Sequence, residues 1–160
     1  MNECKLSENN WTKVAVFAGG DRGHYRTDFD CFVGVDRGSL WVLEEKLPLA
    51  LAVGDFDSVT VEEHHLIQKR AQHFVQAQPE KDDTDLELAL LTIFEKNPQA
   101  QVTIFGALGG RIDHMLANVF LPSNPKLAPY MRQIEIEDGQ NLISYCPEGI
   151  SRLEPRSDYD

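Results

Sequence analysis

Five consecutive apolar residues, Leu49-Ala50-Leu51-Ala52-Val53, run without a charge into Gly54-Asp55-Phe56-Asp57-Ser58. A short continuous apolar run bounded by a turn suits a strand buried on both faces, as in parallel sheets covered by helices. The same order of strand, acidic or glycine turn, and helix recurs along the chain. Residues 13–18 read as a first strand ending at Gly19-Gly20-Asp21, and 31–35 as a second ending at Asp36. A fourth strand is predicted around 73–77 and a fifth over 101–105. The intervening segments carry helical periodicity: Leu40, Trp41, Leu43 and Leu47 before Pro48; Leu66, Ile67 and Ala71 after Thr60; Leu86, Ala89, Leu90, Ile93 and Phe94 after Thr84. Thr60-Val61-Glu62-Glu63 and Thr84-Asp85-Leu86-Glu87 both fit a capping box. A further helix from about His114 is expected to start at Asp113 as its N-cap and to bury Met115, Leu116, Val119 and Phe120.

This alternation predicts an α/β fold, a mainly parallel Rossmann-like sheet flanked by helices. After Pro122-Ser123-Asn124-Pro125 the pattern changes, and residues 133–136, Asp138-Gly139 and 142–146 read as a β-hairpin with a two-residue turn. Such a hairpin must lean on the main domain, on another chain or on further sequence. The expected organisation is an arm over 1–12, an α/β domain over 13–125, and over 126–160 a linker and the start of a small β-rich C-terminal domain.

In such sheets ligands bind outside the carboxyl ends of the strands, where all the distinctive turns should gather. If the chain stays extended through Phe56, Asp55 and Asp57 leave on one side and can share a hard cation such as Mg²⁺. Asp82, Asp83 and Asp85 crowd the start of the next helix beyond what capping needs. Gly109-Gly110-Arg111 offers an anion cradle, with backbone donors and a guanidinium at a helix start. Together these turns predict a Mg²⁺–polyphosphate site.

Bulk properties narrow the partners. The chain of 160 residues carries 26 acidic and 15 basic side chains, a formal charge of −11, without a Lys/Arg cluster, so a nucleic-acid partner is not expected. Cys4, Cys31 and Cys146 are widely spaced and odd in number, and read as reduced thiols of a cytoplasmic protein. No apolar run reaches membrane-spanning length, and the N-terminus lacks a signal-peptide core.

The succession Val35-Asp36-Arg37-Gly38, Gly54-Asp55-Phe56-Asp57-Ser58, Lys81-Asp82-Asp83-Thr84-Asp85 and Gly109-Gly110-Arg111-Ile112-Asp113-His114, with Asn118 one turn on, resembles the bacterial thiamine pyrophosphokinases over roughly residues 13–146. The resemblance implies transfer of pyrophosphate from ATP to thiamine, giving thiamine diphosphate and AMP, by a Mg²⁺-dependent homodimer. It implies Asp55, Asp57 and Asp85 as metal ligands. It places Asp36, Asp57 and Arg111 in the catalytic group, and Gly20, Asp36, Lys81, Thr84, Gly110, Arg111, Asp113 and Asn118 against nucleotide or substrate. Asp36 and Asp57 are the candidates for the base that takes the thiamine proton. Members of that family continue into a β-rich domain that helps bind thiamine, so these residues are expected to hold the nucleotide–Mg²⁺ half, with thiamine binding and turnover weak or lost. Two other readings compete. A haloacid-dehalogenase-like phosphohydrolase would use Asp55 as nucleophile, with Lys81 and Asp82-Asp83 as later elements. A non-catalytic nucleotide- or cation-binding module would use the acids only as caps and a loose ion site.

Overall fold

The computed structural model describes residues 10–78, 80 and 82–157; residues 1–9 of the expected arm, with Cys4, and Lys81 lie outside them. Strands β1 (Lys13–Phe17), β2 (Cys31–Val35), β3 (Leu49–Gly54), β4 (His73–Gln76), β5 (Gln101–Phe105), β6 (Ile134–Glu137) and β7 (Leu142–Ser144) form one sheet in the order β4-β3-β2-β1-β5-β6-β7. The first six strands run parallel, and β7 turns back antiparallel to β6. The chain builds outward from β1 to β4, then crosses back to place β5 on the other side of β1. That reversal opens a crevice beyond the ends of β1 and β5, the place where sheets of this kind bind ligands.

Alternation along the central strands divides the core between two faces. Val14, Val16, Val33, Leu51 and Ile104 pack with helix α3 (Asp85–Lys96), while Ala15, Phe17, Phe32, Ala52 and Phe105 pack with α1 (Gly38–Glu44) and α2 (Val61–Arg70). Each face is apolar, which explains the continuous hydrophobic runs. In α3 the buried side chains are the predicted five, Leu86, Ala89, Leu90, Ile93 and Phe94. Truncating a side chain as enclosed as Ile93 would cost about 2–5 kcal/mol. Helix α2 is less committed: Ile67 is buried, whereas Leu66 stays 43% exposed. Both capping boxes form, at Thr60 with Glu63 and at Thr84 with Glu87. Cys31 opens β2 within the core, 1% exposed, and burial, with a smaller push from the charge of Asp30, raises its thiol to about 12.

Three details of the expected elements change. The hairpin itself leans on the main domain, one of the supports expected for it, as β6 pairs with β5 and Ile134 and Ile136 share the α3-side core. Its connection spans 138–141, where the Asp138 carboxylate accepts the amides of Gln140 and Asn141 at 2.8 and 2.6 Å, so the turn is longer than two residues. Helix α4 (Ile112–Val119) starts two residues early, with Arg111 at the cap position and Asp113 inside the first turn. No residue of α4 is fully buried, and Ile112, Leu116 and, just past its end, Phe120 are 68%, 45% and 63% exposed.

The loop between β1 and β2 is strapped to the end of β6. Arg26 donates from Nε and Nη2 to the two oxygens of Glu137, each at 3.0 Å, and His24 Nε2 lies 3.2 Å from the same carboxylate. Burial raises the Glu137 carboxyl, but the hydrogen bonds and charge of Arg26 prevail and hold it below its ordinary range.

Candidate active site

The carboxyl edge of the sheet gathers the acids of three separate turns. Asp36 follows β2, Asp55 follows β3 and Asp85 is the first residue of α3, and one carboxylate oxygen from each lies within 4.8 Å of the other two. Asp36 sits in a left-handed conformation, φ +47°, and its Oδ1 accepts a hydrogen bond from the Phe56 amide at 3.1 Å. A Cβ on Gly54 would collide with this carboxylate, so glycine is what lets β3 pass so close. The Thr84 side chain accepts from the Glu87 amide at 3.2 Å, and the Thr84 amide donates to the Glu87 carboxylate at 2.6 Å. That box fixes Asp85 at the helix start. Burial pushes the Asp36 carboxyl up to about 7, reinforced by its hydrogen bond with Asp85 and by the charges of Asp85 and Asp55. Crowded carboxylates of this kind suit a hard divalent cation, which removes their mutual repulsion.

Asp57 does not join the trio. The expected extended passage through Phe56 fails because Phe56 has φ +57°, and its ring is buried against Phe74 at 5.0 Å between centroids. The chain therefore turns at Phe56, leaving Asp57 exposed with its amide donating to Asp55 Oδ1 at 3.2 Å. Asp36 takes the third place in the cluster. Asp83 turns to Lys126, 2.7 Å away, and shares Asn124 with Glu87, which ties the acidic turn to the connection after α4.

Beside the trio, a cavity of about 430 Å³ occupies the crevice between β1 and β5. Gly19, Gly20 and Asp21 line it from β1, Asp36 and Arg37 from β2, and Gly109, Gly110 and Arg111 from the turn after β5. Asp36 thus belongs to both cavity and cluster. Gly20 donates its amide to the Gly106 carbonyl at 3.1 Å, and a side chain there would strike that carbonyl. Asn118 Nδ2 donates to the Ala107 carbonyl at 2.9 Å, bracing the glycine turn against α4. Arg111 holds Asp113 with Nε and Nη2 at 3.1 and 2.6 Å, and this pairing keeps the Asp113 carboxyl below its usual range. The structure therefore brings Gly20, Asp36, Gly110, Arg111 and Asn118 to one cavity, while Thr84 works as a cap beside it. Arg37 and Ser58, both in the cavity wall, were missing from the expected site although each belongs to a turn singled out in the sequence. Their signal was position beside Asp36 and Asp57 rather than residue type.

Comparison with known proteins gives one family. The family model described as thiamin pyrophosphokinase, catalytic domain, matches residues 23–133. The chain is 37% identical over 147 residues to the thiamine pyrophosphokinase of Bacillus subtilis (strain 168), covering 88% of this chain and 67% of that protein. Among solved structures, a thiamin pyrophosphokinase family protein from Enterococcus faecalis superposes with a TM-score of 0.82 at 48% identity, over 86% of this chain and 67% of that one. The yeast thiamin pyrophosphokinase shares the fold, with a TM-score of 0.60 at 12% identity over 85% of this chain and 61% of its own. The chain thus spans about two thirds of the length of its closely matching relatives.

Proposed function

The chain belongs to the thiamin pyrophosphokinase family, and on that premise we propose that it carries the Mg²⁺- and nucleotide-binding half of an enzyme transferring pyrophosphate from ATP to thiamine. The observation that supports this most is the convergence of Asp36, Asp55 and Asp85 beside a glycine-walled cavity. In the reaction the thiamine hydroxyl oxygen attacks the β-phosphorus, the bond from that phosphorus to the oxygen bridging the α-phosphate breaks, and AMP leaves. The dehalogenase-like alternative gives way to this reading, since the family match accounts for the Gly109–Asp113 turn that the alternative left without a role.

Asp36, Asp55 and Asp85 would hold Mg²⁺, and their oxygen-only donor set fits that ion. Bound there, Mg²⁺ would neutralise charge on the phosphate oxygens, the main demand of phosphoryl-type transfer. Gly109 and Gly110, with φ of +85° and +69°, let the turn after β5 run close to a ligand, and Arg111 adds a planar donor. Lys81 keeps its proposed place toward the nucleotide. Asp113 orients Arg111. Exposed Asp57 and half-buried Asp36 are the two candidate acceptors of the thiamine proton, and Asp57 is the one outside the carboxylate cluster. A homodimer in the cytoplasm belongs to the same reading, supported by the apolar side chains that α4 presents to water and by described helices that are all too short or polar to cross a membrane.

The chain is proposed to bind MgATP and to pass its pyrophosphate to thiamine. Isothermal titration with MgATP and with thiamine, alongside AMP release with and without thiamine, tests both parts. Absence of MgATP binding would refute the nucleotide assignment, and MgATP binding with AMP release that thiamine does not stimulate would refute the transfer.

A further inference from the structure

We propose that Arg37 is a phosphate-binding residue, gripping the polyphosphate chain from the β2 side of the cavity as Arg111 does from the β5 side. The inference rests on the nucleotide reading above and names a residue that lies within the resembling motifs but was given no role by them. Sheet order carries the first part of the argument. Strand β1 lies between β2 and β5, so Arg37 and Arg111 flank the glycine turn that follows β1, and all three line one cavity. A Cβ placed on Gly19 would come to 3.7 Å from the Arg37 amide, which sets the glycine turn directly against this residue.

Charge carries the second part. Arg111 faces the carboxylate of Asp113 through two hydrogen bonds, which offsets much of its charge. Arg37 instead donates from Nη1 to a main-chain carbonyl, that of Ser58, at 2.9 Å. A carbonyl fixes the guanidinium without neutralising it, and a guanidinium has five N–H donors, so capacity for phosphate oxygens is retained. Arg37 is also the immediate neighbour of Asp36, the residue common to cavity and acid cluster. A phosphate chain reaching from a cation on Asp36, Asp55 and Asp85 toward the glycine turns must pass beside Arg37. In a chain of net charge −11, a cation at that point offsets repulsion that the anionic ligand would otherwise meet.

The contrasting role is a tether, in which Arg37 only holds the turn that carries Asp55 and Ser58. Titration of Arg37→Met and Arg37→Lys with MgATP, magnesium tripolyphosphate, AMP and Mg²⁺ alone separates the two. A phosphate-binding Arg37 predicts that Arg37→Met weakens MgATP and tripolyphosphate by about tenfold to a hundredfold, with little change for AMP or Mg²⁺ alone. Arg37→Lys, which keeps the charge and loses the fork, should fall between the two and guards against misfolding of the methionine variant. Equal losses for all four ligands, or undiminished binding of MgATP and tripolyphosphate, would overturn the inference. If the unaltered chain bound neither MgATP nor tripolyphosphate, the nucleotide reading would fall with it; if it bound both as tightly as Arg37→Met, only the role of Arg37 would.

Discussion

The Asp36 carboxylate accepts the Phe56 amide at 3.1 Å, linking the turn after one strand to the turn after its neighbour. Both residues hold left-handed backbone angles, φ +47° and +57°, which side chains other than glycine rarely adopt. Packing of the Phe56 ring on Phe74 and the hydrogen bond to Asp36 offset that strain. The carboxylate cluster and the local backbone distortion are thus one piece of architecture.

Asp36→Asn should separate its two duties. The amide oxygen still accepts from Phe56, while the charge that Asp85 and Asp55 repel is gone. Thermal melts without metal should be unchanged or higher, and Mg²⁺ affinity by titration should fall at least about tenfold. Asp36→Ala should also lose stability, by about 1–3 kcal/mol, because the Phe56 amide loses its acceptor. Mg²⁺ affinity undiminished in both variants would exclude Asp36 as a ligand.

The three acidic turns make unequal predictions for their neighbours. Asp55→Asn and Asp85→Asn should each cost Mg²⁺ affinity as Asp36→Asn does, whereas Asp57→Asn should leave Mg²⁺ affinity within about threefold of the parent protein. If Asp57 is the proton acceptor, the same variant lowers AMP release in the presence of thiamine. A collapse of Mg²⁺ binding in Asp57→Asn would restore Asp57 to the ligand set.

Gly54→Ala tests the close approach of β3 to the cluster. The added methyl group must displace the Asp36 carboxylate, which the structure places in its path. Expected are a loss of about 1–3 kcal/mol in urea unfolding, as for overpacking elsewhere, and weakened Mg²⁺ binding. Retention of both would mean that Asp36 moves aside at no cost.

Arg26→Met should cost about 1–3 kcal/mol at neutral pH, since it removes two hydrogen bonds from the buried Glu137 carboxylate and leaves it His24. The pH dependence has a definite sign. Glu137 is held below its ordinary value of 4.5, so its contribution is fully present above that value and disappears as the pH falls through the lowered one. The gap in unfolding free energy between parent and variant should therefore narrow below about pH 4.5 in acid titrations of stability. A gap independent of pH would show that packing, not the ion pair, straps this loop.

Much of the scaffold could be read locally. Leu49–Gly54 announces a buried parallel strand by its own composition, and Thr84 with Glu87 announces a helix start within four residues. What escaped depends on partners distant in sequence. The turn at Phe56 is fixed by Phe74, eighteen positions away, so the direction of Asp57 was hidden in the D-x-D spacing. Asp36 joins the cluster only because β2 and β3 are neighbours. The exposed Leu116 and Phe120 show the limit of periodicity, which reports an apolar stripe and not what covers it. What β6 leans on was left open because its partner, β5, precedes it by a helix and two 3₁₀ segments.

Cys31 heads the strand that Asp36 follows, and its sulfur is sealed from water with its proton firmly held. Alkylating reagents attack thiolates, so labelling of this cysteine has to wait for β2 to come loose. The protein consequently contains its own stopwatch for the opening of that strand, and any ion or nucleotide that braces Asp36 should slow its hand.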